Sequence, residues 1–277
     1  MKICLACEAR FDAAGWRCPE CGWELGFADD AEVSFPDESF ELLAELEERS
    51  FWFRARNDLI VWALRAHFPE AASLLEVGCG TGFVLAALQA RRPELRLVGG
   101  EPARAGAEIA RSRVPDVPIL QLDARRLPFE REFDVVAAFD VLEHIDDDER
   151  VLRELARAAR LGLLVTVPQH PRLWSAVDEF SGHVRRYTRR ELTGKLERVG
   201  LRVVRATSFV SLLLPLVAAS RLVRKKSNEP YDPRSEYAMP RIVDRAFEQV
   251  MRLERRLIER RVSFPAGTSL LVAARRG

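Results

Sequence analysis

Leu74-Leu75-Glu76-Val77-Gly78-Cys79-Gly80-Thr81-Gly82-Phe83-Val84-Leu85 is the stretch that decides the fold of this chain. An apolar run ends in three alternate glycines, and helical spacing resumes with Val84, Leu85 and Leu88. That order predicts strand, tight turn, helix. Glycines at 78, 80 and 82 let the backbone turn sharply and approach a ligand where a Cβ would collide. The helix that follows presents free backbone N–H groups and a positive dipole end to the turn. A nucleotide-like ligand is expected there.

Spacing narrows the choice. The dinucleotide fingerprint is G-x-G-x-x-G, whereas here an acid, Glu76, precedes G-x-G-x-G. A second strand, Arg96 to Gly100, ends in Glu101, near the distance of about 20 residues usual for a ribose-binding acid. A third acid, Asp123, closes Ile119 to Leu122. Acids at the ends of three successive strands suit a ligand offering an amino acid, a ribose and an adenine, with no diphosphate to repel.

On these residues the chain resembles the class I S-adenosylmethionine-dependent methyltransferases, over roughly residues 50 to 277. The resemblance implies an α/β fold: a Rossmann-like, seven-stranded, mostly parallel sheet with helices on both faces. It implies S-adenosylmethionine as cofactor. Gly78, Gly80 and Gly82 would cradle its methionine part with Glu76 near the amino group; Glu101 would take the ribose hydroxyls and Asp123 the adenine.

Composition agrees with an ordinary globular chain. With 277 residues, 48% of them hydrophobic and 31% charged, one large domain and a small appendage are expected. The net charge of +1 exerts no global pull towards nucleic acid. Met1-Lys2-Ile3-Cys4 opens no long apolar region, so no cleaved signal peptide is expected. No run approaches the ~20 apolar residues of a membrane-spanning helix. A cytoplasmic location follows as the expectation.

Four of the five cysteines form two C-x-x-C hooks, Cys4 with Cys7 and Cys18 with Cys21. Four thiolates so spaced suit one tetrahedral zinc ion in a ribbon-like module over residues 1–26. A pair of buried or redox-active cysteine hooks is the alternative. Such a site is closed and so structural. Residues 27–49 read as an acidic linker, Asp29 to Glu32, with a short amphipathic helix beginning at Glu41. From residue 50 the methyltransferase-like domain runs to 277, with a helical insertion at about 208–265.

Phe51-Trp52-Phe53-Arg54-Ala55-Arg56 opens a helix whose aromatic side either packs on the sheet or forms a lid, with Trp52 and Arg56 near the acceptor. Phe133 to Asp140 reads as a buried parallel strand, followed by Leu142-Glu143-His144-Ile145 and a helix from about Asp147 to Arg160. Asp140 and His144 then lie where cofactor or acceptor binds, and His144 is a candidate base or a structural residue. A fifth strand, Leu161 to Pro168, leads to the loop Gln169–Thr188.

Within that loop Asp178, His183, Arg185, Arg186 and Tyr187 are candidate acceptor-binding residues. His183 is the candidate base, against a purely loop-fastening role. Thr188 with Glu191 fits a capping box. The F-W-F-R-x-R and G-H-x-R-R-Y-T runs resemble one branch of the family, whose relatives include the quinone O-methyltransferases.

The insertion begins with an apolar run, Phe209 to Ala219, interrupted by Pro215 and followed by Arg221, Arg224, Lys225 and Lys226. A helix over 209–226 reads either as packed on the core or a dimer interface, or as a peripheral contact with the inner membrane face or a lipid chain. Pro215 is expected to kink it. Asn228 to Pro240 reads as a polar loop. Ile242 to Arg261 predicts a helix with an apolar stripe at 243, 246, 247, 250, 253 and 257.

The expected reaction is O-methylation of a small-molecule, glycan or lipid-linked intermediate. One alternative is a ribosomal RNA methyltransferase with an N-terminal zinc module, to which the neutral charge balance is ill suited. The other is a non-catalytic docking protein with a residual cofactor pocket.

Overall fold

The computed structural model describes residues 1–4, 7–12, 17–22, 37–224, 234 and 239–277. The Leu5-Ala6 pair inside the first cysteine hook, the Asp29 to Glu32 linker, Lys225, Lys226 and most of the Asn228 to Pro240 loop lie outside them. Two short antiparallel strands, β1 (Lys2–Ile3) and β2 (Arg10–Phe11), form the N-terminal module. Helices α1 (Asp37–Arg49) and α2 (Phe51–His67) lead into the core.

The core alternates strand and helix: β3 (Ser73–Val77), α3 (Phe83–Arg91), β4 (Arg96–Gly100), α4 (Arg104–Arg113), β5 (Ile119–Leu120) and β6 (Phe133–Phe139). After β6 come α5 (Asp148–Ala158), β7 (Ala159–Pro168), α6 (Ala176–Phe180), α7 (Arg189–Arg198) and β8 (Leu201–Phe209). Helices α8 (Leu214–Arg224) and α9 (Arg241–Glu259) fill the insertion before β9 (Ser269–Arg276).

Seven strands make one sheet in the order β5-β4-β3-β6-β7-β9-β8. All pairs are parallel except those of β9, which runs antiparallel between β7 and β8. The seven-stranded, mostly parallel sheet is as the resemblance implied. Strand order reverses between β3 and β6, so the loops after their carboxyl ends open a crevice.

Side chains alternate across the sheet. Leu74 joins a layer with Leu64 of α2 and Leu85 of α3, while Leu75 joins one with Leu155 of α5 and Leu196 of α7. Both faces are covered, which is why the strands are apolar throughout.

The N-terminal module docks as an extra strand pairing. Ile3 N–H donates to Pro128 O at 2.9 Å and Glu130 N–H donates to Met1 O at 3.0 Å, with Arg10 3.2 Å from Glu130.

Several boundaries differ from expectation, each for a physical reason. Helix α5 ends at Ala158 and β7 starts at Ala159, two residues before the expected Leu161, because Phe133 of β6 pairs with Ala159. Strand β8 continues to Phe209, paired with Ser269, so the apolar run beginning there is not one helix. Pro215 falls in the first turn of α8, where its missing N–H costs nothing, and causes no kink.

The stripe of α9 is also shifted. Val243 and Leu253 are exposed, and Asp244, Met251, Glu254 and Ile258 are buried instead. The two acids are inward because they cap other segments. Asp244 accepts from Phe51 N–H at 2.6 Å, and Glu254 accepts from Ser211 and Leu212 N–H, both at 2.8 Å.

Where β7 meets β9 the backbones approach closely: a Cβ on Gly162 would stand 2.1 Å from Ala274 O. Replacing Gly162 with alanine is expected to lower stability by about 2–3 kcal/mol, read as a lower urea midpoint with unchanged slope.

Candidate active site

The loop between β3 and α3 has φ of +73°, +53° and +76° at Gly78, Gly80 and Gly82, a region that favours glycine. Gly78 lies against Val141, which a Cβ would meet at 2.5 Å; Gly82 lies against Ala110. A Cβ on Gly80 would meet nothing within 4 Å. Gly80 faces open space.

Glu101, at the end of β4, holds this loop. Its Oε2 accepts from Gly80 N–H at 2.8 Å and its Oε1 from Ala103 N–H at 2.9 Å. Burial pushes Glu101 up to about 7. Glu76 is likewise buried, and no group donates to its Oε2. Burial drives Glu76 up to about 8; Arg56 opposes that, while Glu47 and Glu101 add repulsion.

These residues line a cavity of about 910 Å³, together with Leu122, Asp123 and Asp140. Asp123 is half-exposed and paired with Arg125 at 3.0 Å. Asp140, with φ +57°, is paired with Arg56 at 2.5 Å, and the guanidinium lies 4.8 Å from the Trp52 ring centre. Trp52 and Arg56 therefore line the cavity beside the glycine loop.

Its roof was not anticipated. Helix α1 begins at Asp37 rather than Glu41 and lays Phe40, Leu43 and Leu46 along the cavity. From it, buried Glu47 accepts from Thr81 Oγ1 at 2.6 Å and from Arg113 at 2.6 Å, and Arg113 also donates to Thr81 O at 3.0 Å. Burial raises the Glu47 pKa against Thr81 and Arg113. The short helix expected after the linker thus closes over the glycine loop. Three apolar positions one turn apart were the available signal; the partner of Glu47 was not legible.

At the far end the cavity reaches His144, Asp178, His183 and Arg186. His183 Nδ1 is 3.0 Å from Asp178 Oδ1. Asp178 Oδ2 accepts from Ser175 N–H at 2.8 Å. Burial raises the Asp178 pKa, but His183 and Arg186 outweigh it and leave it lowered. The His144 and His183 rings are perpendicular, 4.8 Å apart. Burial, with the nearby His183, lowers His144 to about 4. Glu143, next to His144 in sequence, is fully buried, and burial raises it well above the carboxylate range.

Two candidate acceptor residues are not brought to the cavity. The Tyr187 hydroxyl is buried, donating to Asp148 Oδ2 at 2.6 Å with Leu142 O at 3.2 Å. Arg185 turns away to Asp146 O at 2.8 Å and Asp148 Oδ1 at 3.3 Å. Both fasten the loop to α5, since the acid they share, Asp148, is buried beneath it. Thr188 Oγ1 accepts from Glu191 N–H at 3.2 Å and caps α7.

Residues 75–165 match the protein family described as Methyltransferase domain. Over that third of the chain the sequence is similar to a methyltransferase domain. The dTDP-4-amino-2,3,4,6-tetradeoxy-D-glucose N,N-dimethyltransferase of Saccharopolyspora spinosa is 37% identical over 136 residues, 47% of this chain and 53% of that one. A Mycolicibacterium smegmatis protein named "Probable S-adenosylmethionine-dependent methyltransferase" is 32% identical over 167 residues, 57% of this chain and 62% of its own. The chain therefore matches only a little over half the length of these relatives.

Among solved structures, a chain of the complex between the Haloferax volcanii Trm112 methyltransferase activator and a methyltransferase is similar, with a TM-score of 0.57 at 17% identity. That match covers 86% of this chain and 94% of the other. It is a likeness of fold.

Away from the matched residues, the four N-terminal cysteine Sγ atoms lie within 4.8 Å of one another. Cys4 and Cys21 are 3.5 Å apart, Cys7 and Cys18 3.8 Å. Bonds of about 2.3 Å to a tetrahedral ion place thiolates ~3.8 Å apart. The cluster fits such an ion.

The two buried acids set a pH dependence for the ligand-free protein. Glu76 and Glu101 have folded pKa values above the ordinary carboxylate, so the folded state holds protons that the unfolded state releases. Their contribution is fully present below about pH 4.5 and is lost as pH rises through 7 and 8. Glu76→Gln is expected to gain roughly 1–3 kcal/mol over wild type between pH 5 and pH 8. Urea unfolding across that range checks the slope.

Proposed function

We propose that the whole chain transfers the methyl group of S-adenosylmethionine to a hydroxyl on a small-molecule, glycan or lipid-linked acceptor. The observation that carries this reading is one continuous cavity, with the glycine loop and its acids at one end and the Asp178–His183 pair at the other. The cofactor fits the residues present. Gly80 leaves room for it, and the unpartnered Glu76 Oε2 awaits a donor such as an amino group. Glu101 would take the ribose hydroxyls and Asp123, beside Leu122, the adenine edge.

When bound, S-adenosylmethionine supplies an electrophilic methyl on a sulfonium that leaves without assistance. The protein then needs mainly to align the acceptor and activate it. Asp178 fixes the His183 ring so that Nε2 is left for the acceptor hydroxyl. Phe180 and Val177 give that end of the cavity apolar walls. Exposed Leu212 and Leu216 near Val217 and Arg221 at the rim favour an acceptor with an apolar chain. The loop motifs support placement near the quinone O-methyltransferase branch.

An amine acceptor is the second reading, favoured by the aminosugar N,N-dimethyltransferase relative. RNA is disfavoured, because Arg185 and Arg186 are committed to Asp148 and Asp178 rather than offered to phosphates. The cysteine module would hold a structural zinc ion, all four positions being taken by protein.

Calorimetric titration with S-adenosylhomocysteine tests the cofactor reading. Wild type is expected to bind at micromolar concentration and Glu101→Ala about 100-fold more weakly. A folded wild type that binds neither cofactor nor product would overturn the proposal. With the acceptor identified, His183→Ala is expected to lower kcat about 10²–10⁴-fold while leaving homocysteine-product affinity unchanged.

Chelation is the separate check on zinc. Removing the ion should unfold residues 1–22, where so short a segment has no core of its own. Melting of the domain beyond residue 37 should persist as a distinct transition in scanning calorimetry.

A further inference from the structure

We propose that Arg221 binds an anionic group, a carboxylate or a phosphate, carried by the acceptor. Its role rests on the proposed methyl transfer, whose acceptor class it narrows. Arg221 stands on α8 one turn after Val217, and both residues line the cavity.

Its position is fixed by the loop after β7. Leu173 O accepts from Arg221 Nη1 and from Arg186 Nη1, the second at 2.7 Å. Arg186 Nε is in turn 3.5 Å from Asp178 Oδ1, the oxygen that meets His183 Nδ1 at 3.0 Å. One carbonyl thus gathers two guanidinium groups close to the proposed base.

The two differ in what answers their charge. Arg186 has Asp178 and also donates to Thr268 O at 3.2 Å. Arg221 has Leu173 O and, among the described residues, no carboxylate at ion-pair distance. Its Nε is buried with no hydrogen-bond partner. The other arginines lining the cavity, Arg56, Arg125 and Arg186, are each paired with an aspartate. Arg221 is the exception.

A guanidinium carries five N–H donors in a planar fork, and one carbonyl leaves most of them unused. With Nη1 taken, the edge formed by Nε and Nη2 is left. That edge matches two oxygens of a carboxylate or a phosphate. A buried N–H without an acceptor is costly, and an anion on this edge removes the cost.

The buried acids at this end do not oppose an anion. Asp178 is held by His183 and Arg186. Burial raises Glu143 well above the carboxylate range, so it keeps its proton at neutral pH. Val177, Phe180 and Val217 add apolar wall, beside which a charge is screened less than in water. An acceptor whose hydroxyl meets His183 Nε2 would then present its anionic group to Arg221 from several atoms away.

The test is calorimetric binding of octyl phosphate, octanoate and octanol to the full chain saturated with S-adenosylhomocysteine. Wild type is expected to bind an anionic probe about 10–100-fold more tightly than octanol, an advantage that shrinks as salt is raised. A phosphate that outbinds the carboxylate assigns a phosphorylated acceptor; the reverse assigns a carboxylic acid. Arg221→Gln should bring both anions down to the octanol level while octanol and product affinities stay unchanged. Arg221→Lys keeps the charge without the fork and should retain part of the preference. Arg172→Gln, at an exposed arginine of the same loop, should match wild type.

Equal affinity for the three probes, or no binding of any, overturns the site. So does a preference for the anions that survives Arg221→Gln. Failure to bind S-adenosylhomocysteine would instead strike the methyl-transfer reading, and the same probes without the product then decide the anion site alone.

Discussion

The Glu101 carboxylate fastens the glycine loop to the end of β4. One oxygen receives the Gly80 amide and the other the Ala103 amide that leads into α4. Two segments that would otherwise leave backbone donors unpaired beside a cavity are satisfied by one side chain. The same contact holds Gly80 in a left-handed turn with its open side to the cavity. The remaining features at the glycine-loop end follow from that position. Gly82 starts α3, Thr81 faces upward to α1, and Glu76 is sealed below.

The strand–loop–helix order, the strand-end acids and the buried central strands were legible because each is a local pattern. Residues 74–85 carry their own turn chemistry, and β6 announces itself as an uninterrupted apolar run. The roof was not legible. Glu47 meets Thr81 across 34 positions and Arg113 across 66, and nothing in its neighbourhood names those partners. Hydropathy also misplaced the buried line of α9. Periodicity treats acids as outward-facing, yet Asp244 and Glu254 go inward to receive amides of Phe51, Ser211 and Leu212.

Loop residues 169–188 divide by a similar rule. Asp178, His183 and Arg186 reach the cavity, whereas Arg185 and Tyr187, adjacent in sequence, go to Asp148 on the opposite side. Composition marked the whole segment as functional. Only the pairing of the loop with β7, through Tyr187 N–H to Pro168 O at 2.9 Å, decides which side each residue takes.

Charge explains why one cavity suits this chemistry. Nine carboxyl groups line it against four arginines. Arg56 answers Asp140, Arg125 answers Asp123 and Arg186 answers Asp178. Among the described residues Glu76, Glu101 and Glu143 form no ion pair with an arginine, and burial raises all three despite Arg56 near Glu76 and Arg186 near Glu143. Such buried acids either stay protonated or pair with positive charge that enters the cavity. Beside Glu76 an ammonium group would restore the carboxylate. The intervening acid, Asp140, is already neutralised by Arg56. The same distribution disfavours a diphosphate at the glycine end, where buried Glu76 and Glu101 would repel it.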